Sequence, residues 1–206
     1  GADAWGIRYN AGVTQLRHIP IWDYVERYKL TALVETGTEG GDGVAAGISA
    51  HVPLIVSYEI VEDVYEVGRR RFSGDTNRVR LFLGHSVTVL PAMLRLVEQQ
   101  RVLFWLDAHL PQHHGGAGPY TTEEIAPLRR EIEVITSLRD CARDVVLIDD
   151  LGLVDAAFWP ASEDLRRWVP DPSVEAVPFW KIAEFFPGHH AEVLPNTTAA
   201  VGLFPR

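Results

Sequence analysis

Short apolar runs rich in β-branched and aromatic residues recur along the chain, and each one stops at a polar residue. Runs of about five such residues are typical of strands that are buried on both faces of a sheet. The pattern predicts strands at residues 31–34, 52–58, 79–83, 102–106 and 144–148.

The segments around these runs carry apolar residues at helical spacing. They predict helices at residues 19–29, 42–50, 63–72, 87–100 and 121–140. The last of these begins with Thr-Thr-Glu-Glu, which is a capping-box pattern. Because alternating strands and helices build a mostly parallel sheet with helices on both faces, we expect a doubly wound α/β fold.

The C-terminal part of the chain has a different pattern. Residues 155–190 are rich in tryptophan, phenylalanine and proline and show little periodicity, and His189 and His190 are expected in a turn. Residues 191–205 predict two strands around a turn at residues 195–198. These two strands complete a seven-stranded, mostly parallel sheet that closes with an antiparallel hairpin.

A single domain accounts for the chain, because no internal repeat, low-complexity tract or linker divides residues 1–206. Within it we expect a helical lead-in at residues 1–30 and a strand–helix core at residues 31–150. Residues 151–206 then form a C-terminal segment that includes the hairpin.

The amino-acid composition limits which binding partners and which cellular location we expect for the protein. Acidic residues outnumber basic ones by 28 to 19, and the net charge of −9 argues against nucleic acid or an anionic membrane as a partner. The single cysteine, Cys141, excludes an internal disulfide and a cysteine-rich zinc site. Without a signal peptide or an apolar run of about 18 residues, the expected location is the cytoplasm. The true N-terminus and a homo-oligomeric state stay open from sequence.

Residues whose side chains can bind a ligand or take part in catalysis follow every predicted strand of the core. Ligands of an open parallel sheet bind outside the carboxyl ends of the strands, so these residues predict a functional crevice. Four of the five strands end in carboxylates and the other in a histidine: Glu35, Glu59, His85, Asp107, and Asp149 with Asp150.

A glycine-rich segment, VETGTEGGDG, connects the first strand to the following helix. Glycine allows a tight turn and a close approach of the backbone to a ligand. Glu59 lies 22 residues beyond Gly37, where an acid holds a ribose diol in nucleotide-binding folds. Glu39 occupies the middle glycine position of the dinucleotide fingerprint and would repel a pyrophosphate. The pattern therefore predicts an adenosine-type ligand that lacks phosphates.

This combination resembles the class I S-adenosylmethionine-dependent methyltransferases. VETGTEGG resembles their first motif, Glu59 their ribose-binding acid, and LFLGHSVTVLPAML their third-strand region, with His85 replacing the usual aspartate and Ser86 retained. FWLDAH and VVLIDD resemble the small bacterial metal-dependent O-methyltransferases of macrolide and aminocoumarin sugars. The resemblance implies a Rossmann-like fold, S-adenosylmethionine as cofactor, and a small hydroxylated acceptor such as a sugar or another natural product.

The resemblance also implies roles for individual residues. Cofactor-binding positions would be Glu35, Gly37, Thr38, Gly41, Glu59, His85, Ser86 and Asp107. A magnesium site would comprise Asp107, Asp149 and Asp150. The physical chemistry agrees, since three converging carboxylates repel one another without a cation, and oxygen ligands favour magnesium, manganese or calcium over zinc. The alternative is that Asp149 or Asp150 only caps a turn.

The proton of the acceptor hydroxyl needs a base. Asp107 and His109 are the candidate catalytic residues, and His109 is alternatively a further metal ligand. Two other functions compete with methyl transfer. A nicotinamide-dependent oxidoreductase is disfavoured by Glu39 and by the absence of a Gly-x-Gly-x-x-Gly run. A non-catalytic binding protein of the same fold gains some weight from His85 in place of the usual acid and from the little chain before the first strand that could cover an acceptor.

Overall fold

The protein is described as a computed structural model that covers residues 15–108, 127–149, 179–194 and 200–206. Its centre is a seven-stranded sheet in the order β3-β2-β1-β4-β5-β7-β6. Strands β1 to β5 are parallel, and β7 runs antiparallel to both β5 and β6. The strands are Ala32–Thr36 (β1), Leu54–Glu59 (β2), Val79–Leu83 (β3), Val102–Leu106 (β4), Val145–Ile148 (β5), His189–Val193 (β6) and Val201–Pro205 (β7).

Helices cover both faces of the sheet. A short 3-10 helix, Leu16–His18, precedes the first α-helix. The α-helices of the described ranges are Ile21–Tyr28 (α1), Asp42–Ser49 (α2), Glu62–Arg71 (α3), Ser86–Leu96 (α4), Leu128–Leu138 (α5) and Phe179–Glu184 (α6). None of these helices is long and apolar enough to cross a membrane.

The predicted doubly wound, mostly parallel sheet with its C-terminal antiparallel hairpin is confirmed. Two local predictions are wrong. Strand β1 continues through Glu35 to Thr36, so Glu35 lies inside the strand and not after it. His189 and His190 belong to β6 and not to a turn, because the buried His189 ring donates through Nε2 to the carbonyl oxygen of Asp144 at 2.8 Å. The N-terminal part of the helix predicted at residues 121–140 lies outside the described residues.

Each strand of the sheet sends alternate side chains into two separate cores. On one face, Val34 and Val56 pack in a cluster with Leu90 of α4 and Ile132 of α5. On the other face, Leu33 packs with residues of α1 and α2. Along β1, Thr36 therefore points toward the α4–α5 layer and Glu35 toward the α2 layer. This alternation sends the two polar side chains at the end of β1 into different surroundings.

Helix α2 packs closely on the sheet where it carries glycine at two positions one turn apart. A Cβ atom added at Gly47 would lie 2.7 Å from Leu33 Cδ2 and 3.0 Å from Ile55 Cδ1. A Cβ atom added at Gly43 would lie 1.6 Å from a carboxylate oxygen of Glu35. The glycines thus bring the start of α2 down onto the end of β1.

Replacing Gly47 with alanine should lower the free energy of unfolding. Overpacking against two buried side chains costs about 1–3 kcal/mol, which exceeds the gain of about 1 kcal/mol in helix propensity. Urea unfolding of Gly47→Ala measures the balance, and Gly74→Ala is the control because nothing lies within 4 Å of that site. A Gly47→Ala protein as stable as the control would show that α2 can move away from the sheet at no cost.

Candidate functional site

The carboxyl ends of β1 and β4 line a small acidic cavity. Strand β1 lies between β2 and β4, so the residues that follow these three strands meet at one edge of the sheet. The cavity has a volume of about 140 Å³, and the glycine loop after β1 forms part of its wall. Four carboxylate side chains line it: Glu35, Glu39, Asp42 and Asp107. So many acidic groups around one small space favour a ligand that carries positive charge.

The loop after β1 has the backbone conformation that its glycines predict. Gly37 and Gly41 have φ angles of +85° and +82°, and Glu39 also has a positive φ of +47°. A Cβ atom at Gly37 would lie 3.3 Å from the backbone of both Asp107 and Ala108. Glycine is therefore required at position 37 both by the left-handed conformation and by the close approach of the turn after β4.

Arg71 holds the far side of this loop. Its guanidinium donates to the carbonyl oxygen of Gly40 and, at 3.0 Å, to Asp42 Oδ1. Arg17 reaches the other oxygen of Asp42 at 2.7 Å. The basic run at residues 69–71 gives no local sign of this contact, because the loop it binds lies about 30 residues earlier in the chain.

Glu59 is placed at the end of β2 by three backbone donors. Its Oε1 accepts from the N–H groups of Ile60 and Val61, each at 2.9 Å, and its Oε2 accepts from the N–H of Glu39 at 3.0 Å. The side chain is 5% exposed. The predicted ribose-binding acid, Glu59, thus lies directly beside the glycine loop. Its hydrogen bond with the N–H of Glu39 holds Glu39 in a left-handed conformation that is more usual for glycine.

Glu35 is a buried carboxyl group on the α2 side of the sheet. It is 2% exposed, and Ser57 donates a hydrogen bond of 2.6 Å to its Oε2. Because the Ser57 proton is used in this way, Thr38 donates to Ser57 in turn, at 2.7 Å. Burial raises the pKa of Glu35 to about 8, against the opposing effect of the Ser57 hydrogen bond, and the charges of Glu39, Glu59 and Asp42 raise it further.

Replacing Glu35 with glutamine should remove a pH dependence of stability. The pKa rises on folding from 4.5 to about 8, so folding retains a proton here that the unfolded chain loses. The resulting stabilisation is complete below pH 4.5 and is lost as pH rises through about 8. The stability of the wild type relative to Glu35→Gln should therefore fall by about 1.4 kcal/mol per pH unit across this window.

Urea unfolding of both proteins at several pH values measures this difference. Glu62→Gln, at an exposed site on α3, controls for the loss of one negative charge. Parallel pH profiles for the wild type and Glu35→Gln would show that folding does not shift the pKa of Glu35 and that the prediction is wrong.

Thr36 and Glu131 form a second polar cluster on the opposite face of the sheet. Glu131, on α5, is fully buried and accepts hydrogen bonds from Tyr58 Oη at 2.9 Å and from Thr36 Oγ1 at 3.3 Å. Glu131 is not among the residues predicted from the sequence. A signal was present, because position 131 falls on the apolar stripe of the helix, between Leu128 and Ile132.

His85 and Ser86 lie at the start of α4. His85 is the N-cap residue and its carbonyl oxygen accepts from two N–H groups of the helix. The N–H of the preceding Gly84 donates to the carbonyl oxygen of Glu59 at 2.9 Å, which places this turn beside the end of β2. Within the described part of the chain, His85 Nε2 and the buried Ser86 Oγ have no hydrogen-bond partner. Both atoms are buried beside the ends of β2 and β3.

The predicted metal ligands are only partly described. Asp107 and Asp149 follow adjacent parallel strands, and the N–H of Asp149 donates to the carbonyl oxygen of Leu106 at 3.1 Å. This bond sets Asp149 beside the turn that carries Asp107. Asp150 and His109 lie outside the described residues. Among the residues that are described, no three His, Cys, Asp or Glu side chains are close enough to hold a metal ion together.

The chain resembles known proteins at the level of structure. No protein-family model matches the chain, and no curated protein sequence matches it either. Solved structures do match over almost its whole length. A Staphylococcus aureus protein, provisionally assigned as a caffeoyl-CoA O-methyltransferase, covers 95% of this chain and 85% of its own, with 15% identity and a TM-score of 0.63.

Two further matches were solved with S-adenosylmethionine or S-adenosylhomocysteine bound. The O-methyltransferase TomG of Streptomyces achromogenes, solved with S-adenosylmethionine, is 16% identical, covers 95% of this chain and 82% of its own, and has a TM-score of 0.57. The Podospora anserina methyltransferase PaMTH1, solved with S-adenosylhomocysteine, is 14% identical and has a TM-score of 0.55. The match covers 90% of this chain and 76% of PaMTH1. The chain has the fold of these methyltransferases. The predicted resemblance and the Rossmann-like architecture are thereby confirmed.

Proposed function

We propose that this protein is an S-adenosylmethionine-dependent methyltransferase that methylates an oxygen of a small hydroxylated acceptor with the help of a divalent cation. The observation that carries the proposal is the acidic cavity beside the Gly37 loop. S-adenosylmethionine carries a sulfonium and an ammonium group against a single carboxylate and has no phosphates, so its net positive charge complements the acidic lining of the cavity, in which Glu35 keeps its proton at neutral pH. A nicotinamide dinucleotide carries a pyrophosphate, which the same carboxylates would repel.

We assign the cofactor-binding residues as a proposal, from their positions around the crevice. Glu59 is proposed to accept from the ribose hydroxyls, while the Gly37 and Gly41 backbone and Thr38 face the amino-acid portion. Asp107 supplies negative charge to the same cavity, and Glu35, whose raised pKa of about 8 keeps it protonated at neutral pH, supplies a hydrogen-bonding carboxyl group. His85 and Ser86 lie next to the end of β2 and are proposed to contact the adenine.

The donor set fits a divalent cation that prefers oxygen. Asp107 and Asp149 offer carboxylate oxygens from neighbouring strand ends, and Asp150 is proposed as the third ligand. A cation bound there would lower the pKa of the acceptor hydroxyl and orient its oxygen. The small bacterial sugar methyltransferases that the sequence resembles are metal-dependent, which supports the same assignment.

The methyl transfer itself needs one proton acceptor. The hydroxyl oxygen of the acceptor attacks the methyl carbon, the carbon–oxygen bond forms and the carbon–sulfur bond breaks. The hydroxyl proton passes to Asp107 or His109, and the products are a methyl ether and S-adenosylhomocysteine. The acidic cavity would stabilise the sulfonium in the bound cofactor, whereas the neutral thioether of the product has no such attraction.

Methyl transfer from labelled S-adenosylmethionine tests the proposal. Methyl glycosides and simple catechols serve as acceptors, because two neighbouring hydroxyl oxygens can share one cation, and mass spectrometry detects the methylated product. We expect transfer to at least one diol in the presence of magnesium. Binding of S-adenosylhomocysteine without transfer to any acceptor would instead favour a non-catalytic binding protein of the same fold, and reduction of a nicotinamide would favour an oxidoreductase.

A further inference from the structure

We propose that Glu131 is a positioning residue, which acts through the Thr36 hydroxyl to hold Asp107 in place for catalysis. This inference rests on the proposed function, because it assigns Glu131 a role in the same methyl transfer. Glu131 lies beneath the site, on helix α5, and its carboxylate does not line the acidic cavity.

The Thr36 hydroxyl joins the helix to the turn after β4. It donates to Glu131 Oε2 at 3.3 Å and accepts from the N–H groups of Asp107 at 3.1 Å and Ala108 at 3.3 Å. A hydroxyl has one proton and two lone pairs. Because Glu131 accepts the proton, both lone pairs of Thr36 remain directed at the two N–H groups of the turn.

The second oxygen of Glu131 is held independently. Tyr58 donates to Oε1 at 2.9 Å, and burial together with the Glu131 charge raises the pKa of Tyr58, so the phenol keeps its proton. The carboxylate is thus fixed at both oxygens, by one residue of β1 and one of β2. A fully satisfied buried network of this kind rigidifies the groups that it joins.

The location of this network makes a purely structural role a poor explanation. Burial of a carboxylate carries a desolvation cost that its hydrogen bonds offset only in part, and an aliphatic residue would fill the stripe between Leu128 and Ile132 without that cost. The cost is incurred where α5 reaches the ends of β1 and β4. Gly37, next to Thr36 in the chain, packs on the same Asp107–Ala108 backbone, so the turn is held from two directions.

Four single variants separate positioning from packing. Glu131→Gln keeps the volume but replaces one acceptor oxygen by a donor, and Thr36→Val removes the hydroxyl. Thr36→Ser restores the hydroxyl and is the rescue. Glu133→Gln is the matched control, since it makes the same change on the same helix at a residue that pairs with the exposed side chains of Arg129 and Arg130.

Amide hydrogen exchange measured by NMR tests the contact without cofactor or acceptor. We expect Glu131→Gln and Thr36→Val to speed exchange at the Asp107 and Ala108 amides by about tenfold or more, because the acceptor of both N–H groups is lost or reoriented. Thr36→Ser and Glu133→Gln should exchange like the wild type. Unchanged exchange in both Glu131→Gln and Thr36→Val would overturn the proposal. If Glu131→Gln does not fold, the comparison of Thr36→Val with Thr36→Ser decides the same question.

Kinetics then test whether the contact acts through Asp107. Glu131→Gln should lower kcat by about tenfold and change the dissociation constant of S-adenosylhomocysteine by less than about threefold. In an Asp107→Asn background the Glu131 change should have no further effect on kcat, whereas a merely structural role would be additive. Additive losses would overturn the positioning role. A wild type without turnover but with the expected exchange pattern would instead count against methyl transfer alone.

Discussion

Replacing Asp107 with asparagine should lower the rate of methyl transfer by about a hundredfold or more while leaving the protein folded. The carboxylate is proposed to serve as a metal ligand or as the base, and the amide can do neither well. The strand is unaffected because all five residues of β4 are buried, and the backbone N–H of residue 107 keeps its bond to Thr36. Thermal unfolding of the variant should therefore stay close to that of the wild type.

A chelator distinguishes the two roles of Asp107. If the strand-end acids hold a catalytic cation, excess chelator should abolish turnover, magnesium should restore it, and the affinity for S-adenosylhomocysteine should change little. Full activity in excess chelator would show that these acids are not a catalytic metal site. Asp107 or His109 would then act as a base without metal, and a pH–rate profile that bends near the histidine pKa of about 6.5 would identify His109.

Replacing Glu59 with alanine should weaken binding of S-adenosylhomocysteine by about a hundredfold. A charge-assisted hydrogen bond contributes about 1.5–3 kcal/mol, and two ribose hydroxyls would lose such a bond. The variant also leaves the N–H groups of Glu39, Ile60 and Val61 without their acceptor, which loosens the loop beside the cofactor. Both effects act in the same direction on affinity.

Calorimetry of the Glu59→Ala protein measures this loss. Glu62→Ala, which removes an exposed carboxylate at the start of α3, is the control and should bind like the wild type. Urea unfolding of both variants separates a loss of affinity from a loss of folded protein. An unchanged dissociation constant in Glu59→Ala would remove the basis for assigning Glu59 to the ribose.

The sheet could be predicted because its strands are buried on both faces, and this burial forces a nearly continuous apolar run in each of them. Strands β3 and β4 were predicted with their full bounds. Strand β1 was predicted too short, because Glu35 and Thr36 are polar and local pattern places polar residues after a strand. Both side chains are buried by partners from distant parts of the chain, Ser57 for Glu35 and Glu131 for Thr36.

The same limit explains which parts of the site were missed. The glycine loop and Glu59 form a local motif, and the structure brings them together through the Glu39–Glu59 hydrogen bond. Glu131 has no local motif, because its partner Tyr58 lies 73 residues earlier, and only its place on an apolar helix stripe marks it as unusual. The roles of His109 and Asp150 stay predictions.

Titration of the wild-type protein with S-adenosylmethionine, S-adenosylhomocysteine and NAD in parallel tests the central claim most directly. The acidic cavity, the glycine loop with Glu39 and the ribose-binding role of Glu59 together predict saturable binding of S-adenosylmethionine and S-adenosylhomocysteine at a single site. They predict no binding of NAD, because Glu39 would repel its pyrophosphate. The cationic cofactor should also bind more tightly than its neutral-thioether product, since the cavity carboxylates attract the sulfonium. Binding of NAD, with no response to either sulfur nucleoside, would contradict the account.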